Sequence, residues 1–395
     1  MRLAPPAGGF GKAQTGGFGW HPAARAFDGA GAEVLPGVPR DGVLPDRPAG
    51  AALAAIGGAF RIGGAGPGPV PGRVPVFETL TGGSSGAPRR IRRTQASWIA
   101  SFAVNAQLFG IGPGTRVAIL GRLVHSLSQY GAIEALHLGA ELHLLAELRP
   151  DRQRRALAAR KVGVVYATPA QLRLLVEVGG PELPDLAQVL VGGSKLDAGL
   201  RAALAAMAPA AVVREFYGAA EASFVTLAGP DTPEGSVGMP YPGVELAVEA
   251  GEIWVKSPYL FEGYPSDPGS ARWQDGWLSV GEIGELRDGH VYLLGRTGRM
   301  LKVADQAVYP EEIEGFLLAQ QGVIRAAVLP RPDALRGLHL VAVLSGDQGQ
   351  AAAVLGALRA RFGPLKSPKT LIWRKDWPML ASGKTDLVRL AKDLA

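Results

Sequence analysis

The strongest constraint on this chain is an alternation. Between Arg116 and Ala208, short apolar runs of strand length alternate with stretches of helix length. The runs are Arg116 to Leu120, Glu141 to Leu145, Val162 to Tyr166 and Ala187 to Val191. The stretches between and after them are Ser126 to Leu138, Asp151 to Arg160, Ala170 to Val178 and Leu196 to Ala208. Such a rhythm predicts a parallel sheet covered by helices. From about Gly235 the texture changes to hairpins, with Glu245 to Glu249, Gly251 to Val255, Gly284 to Arg287 and His290 to Leu293 separated by Gly and Asp-Gly turns. A polar joint at Gly295-Arg296-Thr297-Gly298-Arg299 precedes a last unit: helix Pro310 to Gln321, strands Ile324 to Leu329 and Leu338 to Leu344, and helix Ala351 to Phe362. The expected fold is therefore α/β. A large N-terminal domain (1–295) holds helix-covered mixed or parallel sheets and a hairpin-rich part; a small α+β C-terminal domain (300–395) follows a joint near 296–300.

At 395 residues the chain exceeds what one core of roughly 250–300 residues accommodates, which suits two domains. With 47% hydrophobic and 19% charged residues it reads as globular, and no cysteine is present for a disulfide, a thiolate metal site or a cysteine nucleophile. No signal-peptide core and no continuous apolar run of the roughly 18 residues that span a bilayer are seen, so a cytoplasmic location is expected. The net charge of +6 has local concentrations at Arg89-Arg90-Ile91-Arg92-Arg93 and from Arg149 to Lys161. Without interleaved aromatics or a reading module these runs argue against nucleic acid and read as solvated basic faces. The six histidines show no ligand spacing, which leaves a zinc site unsupported. Before Val74 the chain is rich in Gly, Pro and Ala, with one helix-like patch from Ala51 to Phe60.

After the strand-like run Val74 to Leu80 comes Thr81-Gly82-Gly83-Ser84-Ser85-Gly86-Ala87-Pro88-Arg89, then a helical stretch from Gln95 to Gly110. Glycines let backbone amides bend toward an anion, while hydroxyls and Arg89 add donors, so the segment reads as a phosphate cradle at a strand-to-helix turn. A plain turn is the other reading. A third is a G-x-S-x-G nucleophile elbow, but neither His290 nor His339 looks like its base. Ser382-Gly383-Lys384-Thr385 fails as a Walker loop because Pro378 stands where glycine is required, although Lys384 is placed to reach a phosphate as a mobile charge. Tyr217-Gly218-Ala219-Ala220-Glu221 puts an aromatic ring and a carboxylate at the end of a strand, where open α/β sheets bind ligands. There Tyr217 is suited to stacking on a base and Glu221 to holding a hard metal ion; a core tyrosine and a solvated glutamate are the alternative.

Taken in order, these pieces resemble the adenylate-forming superfamily of acyl-CoA synthetases, peptide-synthetase adenylation domains and luciferases. Thr81 to Arg89 is similar to its phosphate loop, Tyr217 to Glu221 to its Y-G-x-T-E and Gly235 to Pro240 to its G-x-x-G-x-P. Gly276 to Glu282 is similar to G-W-x-x-T-G-D, Gly295 to Glu314 to the long stretch ending P-x-E-I-E, and Pro378 to Lys384 to the terminal P-x-x-x-S-G-K. The resemblance runs from about Val74 to the end and implies ATP, Mg²⁺ and coenzyme A as reactants. By it, Thr81, Gly82, Gly83, Ser84, Ser85, Gly86, Arg89, Gly218 and Ala220 surround the phosphates, Tyr217 stacks on adenine, and Glu221 binds Mg²⁺. Glu282 and Arg296 hold the ribose, and Lys384 bridges the acid and the α-phosphate.

The resemblance also places His125, Gly192 and Gly193 at an acyl pocket, Arg299 at a hinge and Asp305 at a thiol tunnel. It implies activation of a carboxylic acid to an acyl-adenylate and transfer to coenzyme A. Loading of an acyl carrier protein, capture by an amine, or a degenerate nucleotide-binding protein are the alternatives. The chain departs from the family at Arg299 for aspartate, Asp305 for glycine, Ala220 for threonine, Glu282 for aspartate and Arg89 for lysine. The stretch before the loop is about half the family's usual length, which implies a shortened first subdomain (1–73). Neither the acid nor the oligomeric state is legible.

Overall fold

The computed structural model describes residues 2–3, 16–80, 89–303, 306–333, 337–380 and 385–394. The predicted alternation is present almost residue for residue. Strands Arg116–Ile119, Glu141–Leu144, Val164–Ala167 and Gln188–Val191 alternate with helices Ser126–Leu138, Pro150–Ala159, Pro169–Glu177 and Ala198–Met207. Helix starts follow local chemistry. Thr168 and Gln171 form a reciprocal capping box ahead of Pro169, and Asp197 accepts from the Leu200 amide.

The strands lie in one sheet in the order Met239–Pro240, Ser223–Ala228, Val212–Ala219, Gln188–Val191, Val164–Ala167, Arg116–Ile119, Glu141–Leu144, Arg25–Phe27, Glu33–Val34. The neighbours from Val212–Ala219 to Arg25–Phe27 are parallel. Because successive side chains point to opposite faces, the strands feed two cores. Val117, Ile119 and Tyr166 pack with Phe102 and Ile133. Ala118, Val165 and Val189 pack with Leu157, Leu172 and Leu200 on the other side. A sheet buried on both faces reads as continuous apolar runs, which is why the sequence disclosed it.

The hairpin-rich part is a second sheet containing Glu245–Glu249, Glu252–Lys256, Trp273–Gln274, Trp277–Arg287 and His290–Arg296. Its tight turns have positive φ at both central residues: Ala250 and Gly251, Asp275 and Gly276, Asp288 and Gly289. This is the turn form whose twist suits two-residue hairpins. The small domain contains a sheet of Val323–Asp333, Gly337–Gly346 and Thr370–Trp373 with helices Pro310–Leu318, Ala351–Lys366 and Leu387–Asp393. Thr370–Trp373, the final helix and the short hairpin of Leu301–Val303 with Gln306–Val308 were not foreseen.

Several expectations are corrected. The patch from Ala51 to Phe60 is not one helix: helix Ala49–Ala54 ends, and strand Ile56–Ile62 lies parallel to Arg40–Leu44 and Val76–Leu80. Glycines at 57 and 58 weaken helix propagation there, and the pairing partners are distant in sequence. The helix Gln95–Phe109 also does not follow the glycine-rich loop directly. Strand Arg90–Thr94 intervenes and pairs antiparallel with Val76–Leu80, so the loop joins two strands of a hairpin.

The arginine run is therefore not a solvated face, because Ile91 and Arg93 point inward and are fully buried. Part of the second basic run is also internal: Arg154 is buried and donates to the carbonyls of Leu175, Gly180 and Pro181, each at 3.0 Å.

Candidate active site

Tyr217 lies near the end of strand Val212–Ala219, where the register with Ser223–Ala228 slips between Tyr217 and Gly218. Gly218 is required by this geometry, since a Cβ there would stand 2.3 Å from the Ser223 carbonyl oxygen. The following turn presents Glu221, and Ser223 takes a positive φ of 59° to close it. Buried Arg93 holds this turn. It donates to the Ala220 carbonyl at 2.6 Å, to Ser223 Oγ at 2.8 Å and to the Tyr259 carbonyl. Burial pulls the Arg93 pKa down to about 9, with Glu221 opposing.

The Glu221 carboxylate accepts a hydrogen bond from the Tyr264 hydroxyl at 2.7 Å, and its main-chain carbonyl accepts from the Phe261 amide at 2.8 Å. Across the adjacent strands Trp277–Arg287 and His290–Arg296, Glu282 and Arg296 stand directly opposite one another. Arg296 Nε donates to Glu282 Oε1 at 2.8 Å; the glutamate is buried, whereas the arginine keeps 48% of its side chain exposed. Burial lowers the Arg296 pKa, but Glu282, Tyr217 and Glu311 outweigh it and the net shift is upward. The Tyr217 phenol senses both groups. Burial, then Glu282 and more weakly Glu221 raise its pKa well above the ordinary value, with Arg296 opposing, and its hydroxyl has no hydrogen-bond partner among the described residues. Tyr217, Glu221, Glu282 and Arg296 are thus brought to one place from two sheets.

Arg89 lies beside them. Its guanidinium sits 3.6 Å from the centroid of the Tyr264 ring and donates to Asp267 Oδ2 at 3.1 Å and Ser270 Oγ at 2.6 Å. Ala220 is held through its carbonyl by Arg93. His125 forms an isolated parallel bridge with Leu80, at the root of the glycine-rich loop, and begins helix Ser126–Leu138. Burial and then Arg122 lower its pKa, so the imidazole is neutral near pH 7. Gly192 and Gly193 follow strand Gln188–Val191. A Cβ on Gly192 would come within 2.3 Å of the Phe216 ring, and Gly193 has φ of 96°. These three sit at the carboxyl ends of strands, like Tyr217.

Arg299 is gripped by the small domain: it donates to both Glu314 oxygens at 3.1 and 2.8 Å and pairs with Glu311 at 3.2 Å. Thr81, Gly82, Gly83, Ser84, Ser85, Gly86, Asp305 and Lys384 lie outside the described residues. An open cavity of about 480 Å³ lined by Arg47, Pro48, Ala146 and Glu147 lies beyond the end of strand Glu141–Leu144, several strands away from Tyr217. The residues that sequence reading missed are Arg93, Tyr264 and Glu314. Arg93 carried a signal in the alternation of Ile91 and Arg93 along a five-residue strand, and Glu314 in its place at the end of the stretch similar to P-x-E-I-E.

A parallel sheet ending in a tyrosine and a carboxylate, with a buried glutamate paired to a half-exposed arginine alongside, matches the class of AMP-binding enzymes. The family model for the AMP-binding enzyme matches residues 49–265, and that for the AMP-binding enzyme C-terminal domain matches 312–384. The chain belongs to this family, among the adenylate-forming acyl-CoA ligases. It is 31% identical over 334 residues to the uncharacterized acyl-CoA ligase YhfT of Bacillus subtilis, covering 80% of this chain and 68% of that protein.

Among solved structures it is similar to the amide bond synthetase McbA of Marinactinospora thermotolerans, with a TM-score of 0.73, 25% identity and coverage of 89% of this chain and 79% of that one. It shares its fold with the o-succinylbenzoate CoA synthetase MenE of Bacillus subtilis in complex with an acyl-adenylate intermediate, with a TM-score of 0.69, 23% identity and coverage of 80% and 68%. No described helix is long and apolar enough to cross a membrane.

Proposed function

We propose that this protein activates a carboxylic acid with ATP and passes the acyl group to the thiol of coenzyme A. The observation that carries the reading is the meeting of Tyr217, Glu221, Glu282 and Arg296 at one end of the parallel sheet. In the first step a carboxylate oxygen attacks the α-phosphorus, the bond to the bridging oxygen breaks and pyrophosphate leaves. In the second the thiol sulfur attacks the acyl carbon, its proton passes to solvent and AMP leaves. Tyr217 stacks on the adenine, Glu282 and Arg296 take the ribose hydroxyls, and the loop from Thr81 to Gly86 with Arg89, Gly218 and Ala220 surrounds the phosphates. Lys384 meets the two anions as they approach, where a fixed positive charge lowers their repulsion most.

Glu221 fits a Mg²⁺ site. A small hard cation takes one or two carboxylates plus phosphate oxygens, and one Glu221 oxygen has no hydrogen-bond partner among the described residues. Bound there, Mg²⁺ neutralises charge on the phosphates. His125, Gly192 and Gly193 border the acyl group. We assign the large domain to 1–295 and the small one to 300–395, joined at 296–300, with Asp305 on the path of the thiol. The cytoplasm, which supplies ATP and coenzyme A, is the expected location. The similarity to an amide bond synthetase favours a second reading, in which an amine takes the acyl group, and a carrier-protein thiol is a further acceptor.

The test measures pyrophosphate and AMP release with Mg²⁺ and ATP across aliphatic and aromatic acids, with coenzyme A, an amine or neither. Acid-dependent pyrophosphate with AMP turnover only when coenzyme A is present is the expected result. Turnover with amine alone selects the second reading, and no acid-dependent pyrophosphate from any acid overturns both. Lys384→Ala is expected to lower adenylation by about 10²–10³-fold, the usual effect of removing one transition-state donor, while ATP still binds.

A further inference from the structure

Two groups expected to handle the nucleotide come from distant parts of the chain. Glu221 is on the turn after strand Val212–Ala219, and Arg89 ends the glycine-rich loop. One side chain touches both. The Tyr264 hydroxyl donates to Glu221 Oε1 at 2.7 Å, and the face of its ring carries the Arg89 guanidinium at 3.6 Å. The segment around Tyr264 is itself fixed on both sides. The Phe261 amide bonds the Glu221 carbonyl at 2.8 Å, the Glu262 amide bonds the Arg92 carbonyl at 2.8 Å, and Asp267 and Ser270 accept from Arg89. Phe261 packs edge-on against the Tyr264 ring at 5.0 Å.

We propose that Tyr264 is a positioning residue for the metal site, holding one oxygen of Glu221 so that the other faces the Mg²⁺ that accompanies ATP, while its ring seats Arg89. The inference rests on the adenylating reading given above. A carboxylate that ligates a metal through one oxygen is oriented by a hydrogen bond to the other, and losing such an outer partner typically costs 10–100-fold in metal affinity. The ring contributes separately. A guanidinium lying over an aromatic face is held by the ring's negative quadrupole whether or not the ring bears a hydroxyl.

Tyr264→Phe separates the two roles, since it deletes the hydroxyl and keeps the ring. The measurement is Mn²⁺ binding by electron paramagnetic resonance, as a probe for Mg²⁺, on the full chain with ATP and no acid. AMP binding in EDTA is measured in parallel. The expected result is Mn²⁺ binding weakened by about tenfold or more with AMP affinity unchanged. Equal Mn²⁺ affinity in the two proteins overturns the role of Tyr264 and leaves the adenylating reading intact. AMP affinity falling as far as Mn²⁺ affinity makes the tyrosine a general structural support and also overturns it. A wild-type protein that binds no Mn²⁺ with ATP overturns both.

Discussion

Two arginine–glutamate pairs in the large domain look alike on paper and differ in burial and in what their remaining donors do. Arg61 and Glu78 meet at 2.8 Å on neighbouring parallel strands, 0% and 2% exposed. Arg61 also donates to the carbonyls of Gly63, Ala65, Gly66 and Pro67, so its whole donor set is spent inside the protein. Arg296 and Glu282 meet at the same distance, yet the arginine is half in solvent and Nε is its one donor bonded to the glutamate. A pair whose donors are exhausted fixes loops. A pair with donors left over beside an unpartnered tyrosine hydroxyl is equipped to meet something else.

The largest expected effect breaks the first pair. Arg61→Met should cost about 3–5 kcal/mol in chemical denaturation, because it leaves Glu78 buried with only Arg90, 3.7 Å away, for company. A loss below about 1 kcal/mol would show that the pair is not the structural element described. The second test reverses the readout. Glu282→Gln should change stability by less than about 1 kcal/mol, since the partner is half exposed. It should weaken ATP binding about 10–100-fold, the worth of hydrogen bonds to a charged acceptor. Equal ATP affinity in isothermal titration would remove Glu282 from the site.

A third test concerns another buried carboxylate. Glu134 is fully buried and receives hydrogen bonds from Asn105 at 2.8 Å and from Tyr166, with no cation bonded to it among the described residues. Burial lifts its pKa to about 8 against those bonds. The folded state therefore holds the proton more tightly than the unfolded chain. Its contribution is full below about pH 4.5 and is lost as the pH rises to about 8. Stability should fall by about 1 kcal/mol per pH unit across that window, and Glu134→Gln should flatten the slope. An unchanged slope in the variant would assign the pH dependence elsewhere.

The same contrast explains what could be read from the sequence. From Arg116 to Met207 the elements pack mainly on elements near them in the chain, the pairing of Glu141–Leu144 with Arg25–Phe27 excepted, and periodicity with caps suffices. The hairpins were equally legible, because Asp-Gly states its own turn geometry. The first seventy residues were opaque, since Arg40–Leu44 and Ile56–Ile62 become strands by joining Val76–Leu80, and no local pattern announces that. At the site, Tyr217, Glu221 and Arg89 were suggested by their place at a strand end and beside a glycine-rich loop and strengthened by family resemblance, whereas Glu282 and Arg296 came from the resemblance alone. Their supports escaped it: the Tyr264 bond to Glu221 spans 43 residues and the Arg93 bond to Ala220 spans 127. Arg93 was misread because a run of arginines looks solvated until the alternation of a short strand turns one of them inward.

The grip of Glu314 on Arg299 has a consequence for how the chain can bend. Arg296 is moored to Glu282 in the large domain and Arg299 to Glu314 in the small one, so the slack between the two moorings is Thr297 and Gly298. A swing of the small domain that kept both moorings would have to be written into the backbone torsions around those two residues. Gly298 offers no obstacle, for even an added Cβ would meet nothing within 4 Å, and the Thr297 hydroxyl has a single hydrogen bond to break, 3.2 Å long, to the Gly281 carbonyl. The Met300 amide, bonded to the Arg296 carbonyl at 3.1 Å, closes a turn over the same two residues, so any such swing would have to open that turn as well.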